Sequence, residues 1–292
     1  MSYVYEDVLK NATEELNGIS TTPRLDAELL LMYVLDLDKT ALHARLDQEM
    51  SQAEKDRFSV FLERRKASEP IAYIIGKKEF YGLDFNVGRN VLVPRPESEL
   101  LVEKGLEILS KKDSGKLEIL DLGTGSGCLA ISIACELQNQ ERDFEVLAVD
   151  SSGEALELAV ENALNHGVSA DIVFLESSWF SELDPEEDKF DLIISNPPYV
   201  STKETNLPKE LSYEPKEALF AGNSGMDDIE HLMRLASSFL KPDGVFLCEI
   251  GETQRELITK FYNYVNSFID VPYKSLNFYK DLAGKDRIME LR

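Results

Sequence analysis

The chain has 292 residues, 43% of them hydrophobic and 29% charged, which is the balance of a folded globular protein and excludes wholesale disorder. Its 54 acidic against 31 basic side chains leave a net charge of −23, a poor balance for neutralising phosphates. A protein or small-molecule substrate is favoured over stable nucleic-acid binding. No stretch reaches the ~20 apolar residues of a membrane span, and Met1 to Lys10 lacks a basic segment followed by an apolar core. The expectation is a cytoplasmic protein with no secretory leader and no membrane partner. Cys128, Cys135 and Cys248 are odd in number and lack CxxC spacing, which suits a reducing compartment and argues against a disulfide framework or a metal site.

The first segment, residues 1 to 75, reads as a small all-α domain. Val4, Val8 and Leu9, then Leu25, Leu29, Leu30, Tyr33 and Val34, recur at helical spacing. Thr22-Pro23 places a cap and a first-position proline before the second helix, with Asp26 and Glu28 in its first turn, where the helix dipole favours anions. A further helix is predicted over Gln52–Lys66, with Ser51 and Glu54 spaced as a capping box. Residues 76 to 95 read as a linker hairpin, because Phe80 to Val87 alternates around Gly82. Pro94-Arg95-Pro96 breaks the chain before a helix from Glu97 to Leu109, and 111 to 116 is a polar loop.

The third segment, 96 to 292, alternates strand and helix from residue 117. Candidate strands are Leu117–Leu122, Glu145–Val149, Asp171–Leu175, Phe190–Ser195 and Gly244–Ile250. Helices are predicted at Cys128–Leu137, Glu154–His166, Met226–Leu240 and Thr253–Val265. Short apolar strands alternating with helices imply an α/β fold: a mainly parallel, doubly wound, Rossmann-like sheet with ligands at the strand carboxyl ends.

Asp121-Leu122-Gly123-Thr124-Gly125-Ser126-Gly127 joins the first of these strands to a helix. A phosphate-binding P-loop ends in Gly-Lys-Ser/Thr, whereas this loop runs Gly127-Cys128-Leu129. A dinucleotide loop is G-x-G-x-x-G, and position 128 is Cys. The remaining pattern is the G-x-G-x-G loop of class I methyltransferases. Asp150 closes the next strand, where a carboxylate can accept from both hydroxyls of a ribose; the alternative is a helix cap. Asp121 can face an ammonium. S-adenosylmethionine carries an ammonium and a sulfonium and no phosphate, and is the expected cofactor.

Phe190–Ser195 runs into Asn196-Pro197-Pro198-Tyr199. Two prolines fix φ and remove two donors, so the turn is stiff and its carbonyls point in set directions. The Asn196 side-chain oxygen and the Pro197 carbonyl are candidate acceptors for the two N–H bonds of a planar substrate nitrogen, and Tyr199 is a candidate to stack on its face. An amide lone pair is delocalised; two fixed acceptors turn the N–H bonds and aim the lone pair at the methyl group, so positioning outweighs acid–base help. His43, His166 and His231 are scattered, and Glu182 to Asp188 reads as a solvated loop.

Beyond these elements, Glu79-Phe80-Tyr81-Gly82-Leu83, Val93-Pro94-Arg95-Pro96-Glu97-Ser98-Glu99, Tyr213-Glu214-Pro215 and Asp281-Leu282-Ala283-Gly284-Lys285-Asp286-Arg287 resemble the peptide chain release factor glutamine N5-methyltransferases, the HemK/PrmC family. The resemblance covers nearly the whole chain. It implies an S-adenosylmethionine-dependent enzyme acting on the glutamine of the Gly-Gly-Gln motif of release factors 1 and 2 in translation termination. It also implies that residues 1 to 75 bind the substrate. The expected state is a monomer. Carried over by residue, Phe80, Glu99, Asp121, Gly123, Thr124, Gly125, Ser126, Gly127, Asp150, Trp179 and Asn196 border the cofactor, and Asn196, Pro197, Pro198 and Tyr199 are catalytic. Phe80 and Trp179 also suit a core, and Glu99 a helix first turn. One departure stands out: Ser178 precedes Trp179 where the family carries Asp, removing a carboxylate from the adenine side, which Glu176 or water is left to supply. Asn-Pro-Pro-Tyr is shared with adenine methyltransferases, so methylation of adenine or cytosine in nucleic acid is the alternative activity, and a non-catalytic binder of the same fold a third reading.

Overall fold

The computed structural model describes residues 4–112 and 115–292; Asp113 and Ser114, in the predicted polar loop, lie outside the described residues, as do Met1 to Tyr3. The chain forms two compact units, Met1–Lys77 with Leu207–Tyr213, and Lys78–Asn206 with Glu214–Arg292.

The first unit is all helical: α1 (Tyr5–Leu16), α2 (Pro23–Leu35), α3 (Lys39–His43), α4 (Gln52–Lys66) and α5 (Ile71–Ile75). Of the residues read at helical spacing, Leu9, Leu30 and Val34 are buried, whereas Leu25 and Tyr33 are exposed; Leu16, Leu31 and Leu42 complete the core. The capping box of α4 forms: Glu54 N donates to Ser51 Oγ, and Ser51 N donates to Glu54 Oε2 at 2.6 Å. Thr22 makes no cap bond at α2; its hydroxyl donates to Asp26 Oδ1 instead. Asp26 answers less to the helix dipole than to Arg65, whose Nε lies 2.7 Å from Oδ2 with both side chains buried. The same guanidinium donates to Glu210, and Tyr213 donates to the Ala67 carbonyl at 3.0 Å. These bonds tie residues 207–213 into the helical unit, a return of the chain that a contiguous division at residue 96 does not contain.

The second unit opens with a hairpin, β1 (Lys77–Phe80) and β2 (Leu83–Asn86). Its turn residues Tyr81 and Gly82 both have positive φ, 53° and 73°, which is the primed turn that matches strand twist. Then follow α6 (Glu99–Leu109), β3 (Leu117–Leu122), α7 (Cys128–Asn139), β4 (Phe144–Asp150), α8 (Gly153–Asn165), β5 (Ile172–Glu176), β6 (Phe190–Ser195), α9 (Asp227–Leu235), β7 (Leu240–Glu249), α10 (Arg255–Val265), β8 (Leu276–Lys280) and β9 (Asp286–Leu291). The seven-stranded sheet has the order β5-β4-β3-β6-β7-β9-β8; the first five strands are parallel and β9 runs antiparallel to its neighbours. The expected Rossmann-like, mainly parallel α/β fold is present. Two cores lie in this unit, one containing α6 and α7 residues and the other α9 and α10 residues. The helix predicted over Met226–Leu240 is shorter: a 3-10 turn at Ala236–Phe239 ends it and β7 begins at Leu240. Strand order reverses between β3 and β6, and their carboxyl ends are where such sheets bind ligands. Among the described residues no helix is long and apolar enough to cross a membrane.

Candidate functional site

The loop after β3 is built for close approach. Gly123, Gly125 and Gly127 all have positive φ, where a Cβ is strained. At Gly127 a Cβ would also meet Ile131 Cδ1 at 2.7 Å and Ala159 Cβ at 3.2 Å, so this glycine lets α7 start against α8. Asp150, at the end of β4, accepts from Gly125 N at 2.8 Å and from Ser152 N at 3.0 Å. Its carboxylate thus fixes the loop and the turn into α8, whose cap is Ser152, with Oγ accepting from Ala155 N. Burial raises its pKa against the pull of those N–H groups.

Asp121 is wholly buried. Oδ2 accepts from Thr124 Oγ1 at 2.7 Å and Ala130 N at 3.3 Å, whereas Oδ1 has no hydrogen-bond partner among the described residues. Desolvation pushes the carboxyl up to about 7.

A cavity of 790 Å³ lies at this end of the sheet. Gly123, Thr124, Gly125, Ser126, Asp150, Trp179, Asn196 and Pro198 line it, bringing together residues from four strand ends. Cys128 also lines it, but burial pushes its thiol up to about 12, so it stays protonated and has no nucleophilic character. Trp179 sits at φ 55°, an uncommon conformation for so large a side chain. It packs on the glycine loop, with Cζ3 3.3 Å from where a Gly123 Cβ would stand.

Other predicted residues lie off the cavity wall. Phe80 is 1% exposed within the hydrophobic core and meets Phe85 edge-on. Glu99 accepts from Tyr81 N at 3.0 Å, holding the turn in which a non-glycine residue takes positive φ. Asp121 and Gly127 act from beneath the wall. Pro197 is buried, and Tyr199 packs against the second core with its hydroxyl donating to Glu249 Oε1 at 3.0 Å. Burial, then the Glu249 carboxylate, raises the phenol pKa, so Tyr199 remains a donor. All described peptide bonds, including those of Pro197 and Pro198, are trans.

The turn is braced from behind. Gln254 Nε2 donates to the carbonyls of Tyr199 and Gly225, and a Cβ on Gly225 would stand 2.3 Å from the Tyr199 oxygen. The motif segments also lock each other: Glu214 is buried and accepts from Arg95 Nη2 at 2.7 and 2.8 Å and from Val93 N.

Three residues of the site escape the sequence reading. Asn196 Nδ2 donates to Ser98 Oγ at 3.0 Å, and Ser98 Oγ donates to Glu249 Oε2 at 2.5 Å. Glu249 is the last but one residue of the predicted strand Gly244–Ile250 and the last of β7, which is the signal that an acid sits at a parallel-strand carboxyl end. Asp228, in the first turn of α9, lines the cavity beside Ser178 and Trp179 and accepts from the indole. Burial raises its pKa against that bond. Glu176 is not on the cavity wall; its Oε2 lies toward Gly153. The carboxylate on the Trp179 side therefore comes from α9.

The fold and the glycine loop with its two strand-end acids are those of a methyltransferase, and residues 113–284 match the Methyltransferase domain family. Residues 7–76 match the PrmC N-terminal domain. The release factor glutamine methyltransferase of Coxiella burnetii is 38% identical over 98% of this chain and 98% of its own length. The chain belongs to the release factor glutamine methyltransferase family. The bifunctional methyltransferase of Rickettsia prowazekii is 38% identical over 100% of this chain, and the chain spans 58% of that relative's length. Among solved structures, the hMettl16 catalytic domain in complex with MAT2A 3'UTR hairpin 1 shares the fold, with a TM-score of 0.56 at 11% identity over 89% of this chain and 90% of that one.

Proposed function

We propose that this chain transfers the methyl group of S-adenosylmethionine to the side-chain amide nitrogen of a glutamine, that of the Gly-Gly-Gln motif in peptide chain release factors 1 and 2. The observation that carries the reading is the state of the Asn196 amide. Its Nδ2 is spent on Ser98, so its other arm, Oδ1, is an acceptor with no partner among the described residues, on a residue that lines the cavity. Full-length relatives that carry the release factor name support the substrate.

The residues fit the cofactor. Asp121 Oδ1, buried and unpartnered, suits an ammonium. Asp150 is an acid at a strand end on the cavity wall, and the loop lacks the Lys a phosphate needs. When bound, S-adenosylmethionine supplies an electrophilic methyl group whose sulfonium leaves as a neutral thioether. The chain's own part is positioning. Asn196 Oδ1 and the Pro197 carbonyl accept the two N–H bonds of the glutamine amide and orient its lone pair. As the N–C bond forms, the nitrogen gains positive charge, which both acceptors stabilise until one proton passes to water. The stiff turn and its Gln254 brace keep those oxygens in place. Residues 1 to 75 hold the release factor, and the protein acts as a monomer.

The test is transfer of label from S-adenosylmethionine to a bacterial-type release factor or to DNA, with the modified atom mapped by mass spectrometry. Label on the Gly-Gly-Gln glutamine supports the reading. Label on DNA and not on the factor overturns it, and no transfer to either with cofactor bound makes the chain a non-catalytic binder.

A further inference from the structure

Two hydroxyls converge on one carboxylate behind the Asn-Pro-Pro-Tyr turn. Glu249 is 1% exposed at the end of β7 and forms no ion pair among the described residues. Oε2 accepts from Ser98 Oγ at 2.5 Å and Oε1 from the Tyr199 hydroxyl at 3.0 Å. Ser98 Oγ accepts in turn from Asn196 Nδ2 at 3.0 Å. The first and last residues of the turn are thus tied to a single buried acid. Burying a carboxylate without a counter-ion is costly, and the neighbouring Leu247, Cys248 and Ile250 are apolar. Packing alone gives no reason for an acid here.

We infer that Glu249 is a positioning residue that decides which arm of the Asn196 amide faces the substrate. The inference rests on the reading of Asn196 as the amide acceptor. An asparagine amide has two ends of nearly the same shape, so only hydrogen-bond polarity tells them apart. Burial raises the Glu249 pKa and the Ser98 and Tyr199 hydroxyl donors oppose that rise; in the ionised form those donors favour, the carboxylate accepts and never donates. Ser98 has one hydroxyl proton, and Glu249 takes it. Toward Asn196 the Ser98 oxygen is then an acceptor alone, and it pairs with the NH2 arm. Oδ1 is left as the acceptor for a substrate N–H. Were Glu249 able to donate, Ser98 would be free to donate to Asn196 Oδ1, and the amide would turn its NH2 toward the substrate NH2, setting donor against donor. The same carboxylate holds the Tyr199 hydroxyl, so one charge fixes both ends of the turn.

The test uses the full chain carrying Glu249→Gln, Ser98→Ala, or both. Glu249→Gln keeps the shape and introduces a donor; Ser98→Ala cuts the relay with the acid in place. Each is expected to lower kcat about a hundredfold, the scale of losing one preorganised polar contact at a reacting centre. Cofactor Kd and melting temperature stay near wild type. The double variant is expected to be no slower than the worse single, because both break one chain of bonds. Turnover within threefold of wild type in Ser98→Ala overturns the inference whether or not Glu249→Gln folds, and so do multiplicative losses in the double variant. A second readout needs no turnover: the side-chain 15N amide signal of Asn196 is expected to move in both single variants, and an unmoved signal overturns the inference. If wild type methylates no release factor, that signal still decides the orientation of Asn196, so failure of the proposed function and failure of the relay are told apart.

Discussion

In the proposed reading, where Asp121 Oδ1 meets the cofactor ammonium, this residue ties cofactor affinity to pH. In the free chain its carboxyl is pushed up to about 7 by burial, against an ordinary 3.8. That gap, about 3 units, corresponds to roughly 4 kcal/mol between the two protonation states. The folded chain holds this proton more tightly than the unfolded chain does. Stability is therefore highest at low pH for this group and is lost as pH rises from about 4 to about 7. A ligand ammonium placed on Oδ1 needs the ionised form, and pairing repays the desolvation. Affinity should then rise tenfold per pH unit up to about 7 and level off above it, with binding at pH ~5 about a hundredfold weaker than the plateau. Calorimetric titration of S-adenosylhomocysteine, which keeps the ammonium, from pH ~5 to ~8 measures this slope. Asp121→Asn should bind more weakly at the plateau and lose the slope, which separates Asp121 from Asp150 and Asp228, both also raised. A flat wild-type profile, or a slope that survives in Asp121→Asn, would refute the reasoning.

Asn196→Ala should lose at least a hundredfold in turnover by removing a preorganised acceptor, while S-adenosylhomocysteine affinity holds within about twofold; activity within a few-fold of wild type counts against the clamp. Gly127→Ala forces φ 81° on an alanine and sets its Cβ 2.7 Å from Ile131 Cδ1. Left-handed strain of about 1–2 kcal/mol and crowding of about 1–3 predict a melting point lower by roughly 4–20 °C, and a drop under about 2 °C in a thermal scan would show that α7 and α8 part freely. Asp228→Ala should weaken cofactor binding about tenfold, the worth of one hydrogen bond to a charged group, and the loss should shrink for an inosine analogue that lacks the exocyclic amino group. Equal losses for both analogues would take Asp228 off the adenine.

The sheet was legible wherever local pattern and burial agree. Leu117–Leu122 and Phe190–Ser195 are mainly apolar runs between turn signals, and both strands match their predicted bounds. Gln52–Lys66 was legible from its capping box. β8 and β9 were not, because β9 takes its order from pairing with β7, and β8 from pairing with β9, rather than from periodicity, and Asp281 to Gly284 interrupts them. α3 and α5, five residues each, are too short to show a helical period. The same division holds in the site. The glycine loop and Asp150 are contiguous signals. Ser98 lies 98 residues before Asn196, and Glu249 53 after it, and only the fold brings the three together. Glu99 was read from its motif, yet it serves the Tyr81 turn.

The segments that mark the family do different physical work from the residues that face the cavity. Arg95 is engaged by Glu214, Glu99 by Tyr81 and Arg287 by Asp281 at 2.8 Å. The first two join residues of separate motif segments, and the third closes the segment Asp281 to Arg287 on itself. The acceptors proposed to meet the ligand are left under-satisfied instead: Asp121 Oδ1 and Asn196 Oδ1 have no partner among the described residues. A buried acceptor left unpaired, as Asp121 Oδ1 is, costs about 1–3 kcal/mol, and that cost is borne where a ligand can remove it. Such a site needs a rigid surround, since a mobile wall would satisfy those atoms from within the chain and close the cavity to the ligand. The proline turn, the Gln254 brace and the Arg95–Glu214 lock supply that rigidity. Loosening any one of them should therefore weaken ligand binding before it unfolds the protein.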